Sequence, residues 1–161
     1  MATKPVIFQG TFDPFTNGHL AVLKTALDLF GQVRVLLLIN PDKKPLFSVQ
    51  EREEMIKQIA ADLPGVSVDH FDGLLVDYMR AHNLTTCVRG VRNEQDAAYE
   101  LHNAHLSQQL YPDLCTLFIP AETAFVPVSS SAAKIAYQNQ TLPLNWLPEG
   151  VQQRLAKKFF S

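Results

Sequence analysis

The sequence predicts an α/β fold: a doubly wound sheet of five parallel strands with helices on both faces. Three observations predict it. Short apolar runs alternate with helical segments along the chain. The run from Val33 to Ile39 (V-R-V-L-L-L-I) is almost continuously apolar, as a strand covered on both faces must be. Helix start and stop signals fall between the runs, so each strand is followed by a crossover that returns the chain, right-handed, to a parallel neighbour.

Each element has a local reason. Val6 to Gln9 reads as the first strand. Asn17 to Phe30 places Leu20, Leu23, Leu27 and Phe30 at helical spacing, and either Thr16 or Asn17 can cap it. Ser48-Val49-Gln50-Glu51 is a capping box that opens a helix running towards Leu63, where Pro64-Gly65 stops it. Val66 to His70 is the third strand, Leu74 to Asn83 a short helix, and Thr86 to Arg89 the fourth strand. A long helix runs from about Gln95 to Leu110, followed by the fifth strand, Leu114 to Ile119. Ser129-Ser130-Ser131 caps a further helix. Leu142-Pro143 and Pro148 break the chain before an amphipathic helix over about 149–160. With no repeat, low-complexity tract or linker, residues 1–161 read as one domain.

Composition narrows the function classes. The 161 residues are 47% hydrophobic and 19% charged, with 14 basic and 16 acidic residues and a net charge of −2. That balance argues against general nucleic-acid binding, which needs a basic face. Cys87 and Cys115 lie in apolar runs without disulfide or metal-ligand spacing, and read as buried small hydrophobes. Neither a leader-like apolar core at the N-terminus nor a run of membrane-spanning length is present, so the expectation is a cytoplasmic protein without membrane contact.

In open α/β sheets, ligands bind beyond the carboxyl ends of the strands. Four of these ends carry phosphate-suited chemistry. After the first strand comes Gly10-Thr11-Phe12-Asp13-Pro14-Phe15-Thr16-Asn17-Gly18-His19. Here Gly10 permits a sharp turn, and Gly18-His19 fall in a first helical turn, where free N–H groups attract phosphate. After the second comes Lys43-Lys44-Pro45, whose cations can meet a phosphate, although the segment also describes a plain solvated loop. Arg89-Gly90-Val91-Arg92 follows the fourth strand and offers a compact guanidinium fork. The loop Phe125-Val126-Pro127-Val128 leads to the three serines after the fifth. On the next helix, Asp96 and Glu100 read as surface residues and Tyr99 as a partly buried tyrosine.

Taken together, these segments resemble the H-x-G-H nucleotidyltransferase superfamily, here as T-x-G-H, with its Rossmann-like fold. Within it they resemble the phosphopantetheine adenylyltransferases. Residues 10–19 match the G-T/S-F-D-P-x-T-x-G-H signature, Lys43-Lys44-Pro45 the lysine loop, and Arg89-Gly90-Val91-Arg92 with Asp96-Ala97-Ala98-Tyr99-Glu100 the R-G-x-R and D-x-x-Y-E blocks. Val128 to Ser131 matches I/V-S-S-S. Thr16 stands where relatives acting on nicotinate or glycerol phosphates usually carry histidine. Gln9, Pro127 and Ile135 depart from the family's pattern.

The resemblance implies adenylyl transfer from ATP to 4'-phosphopantetheine. It implies His19, Lys43 and Arg92 as the catalytic set. For ATP it implies Thr11, Phe12, His19, Gly90, Val91, Arg92, Glu100 and the segment Phe125, Val126, Pro127, Val128, Ser129, Ser130, Ser131. For the acceptor it implies Thr11, Lys43, Arg89 and Leu75, with Leu74 beside it. It further implies magnesium carried on ATP without a dedicated protein cage, a homohexamer, and feedback binding of coenzyme A. The competing expectations are a nucleotidyltransferase for another phosphate acceptor, a non-catalytic nucleotide- or coenzyme-binding domain on the same fold, and a fragment of an aminoacyl-tRNA synthetase.

Overall fold

The structure, a computed structural model, describes residues 3–160. Five strands, β1 (Val6–Gly10), β2 (Val33–Leu38), β3 (Val66–Phe71), β4 (Thr86–Val91) and β5 (Cys115–Pro120), form one parallel sheet in the order β3-β2-β1-β4-β5. The helices are α1 (Asn17–Phe30), α2 (Val49–Ala60), α3 (Leu75–Ala81), α4 (Glu94–Leu110), α5 (Ser130–Gln138) and α6 (Glu149–Phe160). A short 3-10 turn, Thr123–Phe125, lies between β5 and α5. Among the described residues, no helix is long and apolar enough to cross a membrane.

The strands' alternating side chains build a core on each face. Phe8, Val35 and Leu37 face Val22, Leu23 and Ala26 of α1 and Ile56 of α2. Ile7, Leu36 and Cys87 point the other way, onto Val76, Tyr78 and Met79 of α3. A third cluster joins Phe47 and Met55 to Ala133 of α5 and Val151 and Leu155 of α6. Gly90 lets α1 approach β4 closely, because a Cβ there would lie 2.9 Å from a methyl of Val22.

Several sequence expectations shift. α2 ends at Ala60 rather than Leu63, since a residue preceding proline is pushed out of the helical region. β4 extends through Val91 rather than ending at Arg89, so Gly90 and Val91 belong to the strand and not to the loop after it. Cys87 is buried as expected, but Cys115 begins the edge strand β5 and is exposed. Tyr99 is 65% exposed instead of partly buried. The strand order reverses direction between β1 and β4, which opens a crevice at their carboxyl ends.

Candidate active site

A cleft of about 370 Å³ fills that crevice. Four segments line it: Gly10, Thr11, Phe12 and His19 after β1; Lys43 after β2; Arg89, Gly90 and Arg92 at the end of β4, with Asp96 and Glu100 from α4; and Phe125, Val128, Ser129 and Ser130 after β5. These are the four strand ends singled out in the sequence. The remaining expected residues lie outside the lining. Val91, the last residue of β4, is absent from the lining although its neighbours Gly90 and Arg92 belong to it. Val126 and Pro127 are turned outward beyond the 3-10 turn, and Ser131 is exposed. Leu75 packs at the margin of the core beneath α3, and Leu74 is exposed at the start of that helix.

His19 is the most tightly specified side chain. Thr16, not Asn17, caps α1: its hydroxyl accepts from the His19 N–H at 3.2 Å, and the His19 Nδ1 accepts from the Thr16 N–H at 3.0 Å. A backbone amide can only donate, so Nδ1 carries no proton and the neutral ring holds its hydrogen on Nε2. Phe12 and Phe15 flank the imidazole, with ring centroids 5.0 and 5.3 Å away. Burial, reinforced by the positive charges of Arg89 and Arg92, pushes the His19 pKa down from 6.5 to about 3. The ring is therefore a neutral, oriented hydrogen-bond donor at physiological pH.

The backbone beneath it is held under tension. Phe12 has φ 50°, a left-handed conformation that a bulky residue adopts only when packing compels it. Its ring stacks edge-on against Phe8 and slides under Gly10, where a Cβ would sit 2.9 Å from the ring. Gly10 is thus required by the phenyl ring of Phe12.

The two arginines are already paired. Arg89 makes a two-pronged contact with Glu100, at 2.8 and 2.6 Å, and donates to the Gln9 carbonyl. Arg92 grips Asp96 at 2.9 and 3.3 Å, and the Asp96 carboxylate also accepts from the Arg92 N–H. Asp96 and Glu100 are thereby corrected from plain surface residues to groups that orient the arginines. Of the three cations lining the cleft, only Lys43 has no carboxylate partner among the described residues. Ser129 caps α5, accepting from the Ala132 N–H at 3.0 Å, while the Ser130 hydroxyl donates to the Pro14 carbonyl at 2.8 Å.

Two residues escaped the sequence reading. Asp13 is buried, and its carboxylate accepts from the Leu46 and Phe47 amides and from Lys134. Arg52 is buried on the apolar side of α2 and donates to the Thr11 carbonyl. Its helical spacing from Met55 and Ile56 was the signal that could have revealed it.

The half-buried neutral histidine has a consequence for stability. The unfolded chain takes up a proton near pH 6.5, but the folded one does so only near about 3. Its contribution is therefore complete above pH 6.5 and is lost as pH falls towards 3. Between these limits the unliganded protein should lose about 1.4 kcal/mol per pH unit more than a His19→Asn variant. Urea titrations at a series of pH values measure that difference in slope, and parallel slopes would contradict the assignment.

The cytidylyltransferase-like family model matches residues 7–135. The phosphopantetheine adenylyltransferase of Caldanaerobacter subterraneus subsp. tengcongensis is 39% identical over 153 residues, covering 95% of this chain and 96% of that protein. That of Clostridium tetani is 43% identical over 128 residues, 80% of each. Among solved structures, a bifunctional NMN adenylyltransferase/ADP ribose pyrophosphatase from Francisella tularensis, complexed with AMP and a manganese ion, superposes with a TM-score of 0.68 at 16% identity. The match takes in 97% of this chain and 49% of that one, so the chain spans about half its length, and the likeness concerns the fold alone. By the family model and by relatives along nearly its whole length, the chain belongs to the cytidylyltransferase-like family and, within it, to the phosphopantetheine adenylyltransferases.

Proposed function

We propose that the chain transfers the adenylyl group of ATP to 4'-phosphopantetheine, releasing pyrophosphate and dephospho-coenzyme A, a step of coenzyme A biosynthesis. The observation that carries this reading is the family's T-x-G-H histidine. It is held neutral with Nε2–H as its donor, in a cleft that also carries Lys43, Arg89 and Arg92.

A phosphate monoester has a second pKa near about 6, so the acceptor is already anionic at neutral pH and needs no general base. Catalysis then rests on alignment and on stabilising the charge that develops at the α-phosphorus. In this reading Nε2–H of His19 donates to an α-phosphate oxygen, and Thr11 lies between the two substrates. Lys43, joined by the N–H groups of Arg89 not spent on Glu100 and Gln9, holds the acceptor phosphate. Arg92, set by Asp96, meets the β- and γ-phosphates with the turn at Ser129 and Ser130. Gly90, Glu100, Phe125 and Val128 border the nucleoside, and Leu75 lies along the path of the pantetheine arm.

Magnesium enters as the ATP complex. The carboxylates of the cleft are committed to arginines, and no cluster of acidic, histidine or cysteine side chains among the described residues is disposed to cage a metal. We assign the chain to the cytoplasm as a homohexamer. Self-association is supported by an exposed stripe on α4, where Tyr99, Leu106 and Leu110 recur at helical spacing and are 65%, 47% and 58% exposed. Coenzyme A, which shares both product subsites, is proposed as a feedback ligand.

A thermal-shift panel tests the acceptor assignment without turnover. A native-state ligand at a hundredfold excess over Kd stabilises by about 2.7 kcal/mol. ATP, 4'-phosphopantetheine, dephospho-coenzyme A and coenzyme A should all raise Tm, and nicotinate mononucleotide and glycerol 3-phosphate should not. Stabilisation by nicotinate mononucleotide but not by phosphopantetheine would overturn the acceptor assignment.

A further inference from the structure

Lys43 sits on an exposed loop, yet its proposed task is to meet one phosphate at one place. Something must hold that loop. Three and four residues downstream, Leu46 and Phe47 donate their backbone N–H groups to the two carboxylate oxygens of Asp13, at 2.8 and 2.9 Å. Asp13 belongs to the β1–α1 loop, is 6% exposed and lines no part of the cleft. The Lys134 ammonium, 3.1 Å from the same carboxylate, offsets the cost of burying it.

A second arm runs in the opposite direction. Arg52, 3% exposed, donates from Nη1 to the Thr11 carbonyl at 2.8 Å and from Nε to the Phe47 carbonyl at 3.1 Å. The β1–α1 loop is thus bound to residues 46–48 twice: once by a carboxylate accepting from the far segment, and once by a guanidinium bridging both. Thr11 and Lys43 border the cleft from these two loops.

We propose that Asp13 and Arg52 are positioning residues, a clamp that holds the Lys43 loop against Thr11 and so sets Lys43 at the acceptor phosphate. The proposal rests on the adenylyl-transfer reading for its kinetic consequence, but its structural consequence stands without it. Asp13→Asn keeps the shape, surrenders one acceptor oxygen and turns an amide towards a backbone donor. Arg52→Gln removes the bridge to Thr11. Each should raise the KM for 4'-phosphopantetheine on the order of ten-fold, the scale of a charged hydrogen bond, and leave the KM for ATP nearly unchanged. A merely destabilising change lowers the amount of active enzyme without that split.

A double-mutant cycle decides whether the clamp acts through the lysine. In a Lys43→Ala background, Asp13→Asn should add almost nothing to the acceptor KM, because the group it positions is gone. Additive effects, equal changes in both KM values, or no change would overturn the proposal. Amide hydrogen exchange provides the readout that needs no turnover. In either variant the segment 43–48 should exchange faster while β1 and β4 stay protected. Unchanged exchange there would overturn the clamp even if adenylyl transfer itself holds, and absence of wild-type turnover would overturn only the functional reading. Should Asp13→Asn fail to fold, Arg52→Gln carries both measurements.

Discussion

His19→Ala should lower kcat by about 10²–10³-fold, the range seen when one preorganised donor to a developing charge is removed. The expectation follows from what the structure fixes. The proton is on Nε2, because Nδ1 accepts from the Thr16 amide. The ring is held between Phe12 and Phe15, and the depressed pKa keeps it neutral across the working pH range. A neutral donor adds little to ground-state binding and gains strength as charge accumulates on the α-phosphate, so ATP affinity should change far less than kcat. Steady-state kinetics with ATP varied at saturating acceptor measures both. A variant with nearly wild-type kcat would remove His19 from the mechanism. One that lost ATP affinity and kept kcat would reduce it to a binding residue.

Lys43→Ala should raise the KM for 4'-phosphopantetheine about 10- to 100-fold, the effect of losing a charged hydrogen bond of roughly 1.5–3 kcal/mol. The reasoning turns on commitment of charge. Arg89 is gripped by Glu100 and Arg92 by Asp96, so each arginine's net attraction for a new anion is reduced by a neighbouring carboxylate. The Lys43 ammonium has no such partner among the described residues, so under the proposed function it would meet an incoming phosphate with its charge undiminished. Initial-rate measurements with each substrate varied in turn check the assignment. Equal weakening of both substrates would place the lysine at the shared phosphoryl centre, and no effect on either would return it to a solvated loop.

Much of this was legible in the sequence, for identifiable reasons. The continuous apolar run of β2 and the capping box at Ser48 are local signals, and the structure places β2 and α2 where they point. The chemistry-bearing loops lie at strand ends, so an open parallel sheet gathers them without further information. What escaped was long-range pairing. Asp13 meets Lys134 across 121 positions and Phe47 across 34, and neither contact leaves a periodic trace. The Arg89–Glu100 pair crosses from a strand to a helix, so the arginine reads as a free fork until the fold is known. Tyr99 was misread because burial of a helical tyrosine was assumed, whereas Glu100 is the buried residue of α4. The small differences at helix ends have a simpler origin: Pro64 acts on the residue before it.

The adenylyl-transfer reading stands or falls on product formation. The purified chain with ATP and magnesium should release pyrophosphate on addition of 4'-phosphopantetheine, with dephospho-coenzyme A formed in equal amount. It should release none with nicotinate mononucleotide or glycerol 3-phosphate in its place. No pyrophosphate with 4'-phosphopantetheine, or release supported instead by one of the other acceptors, would contradict it.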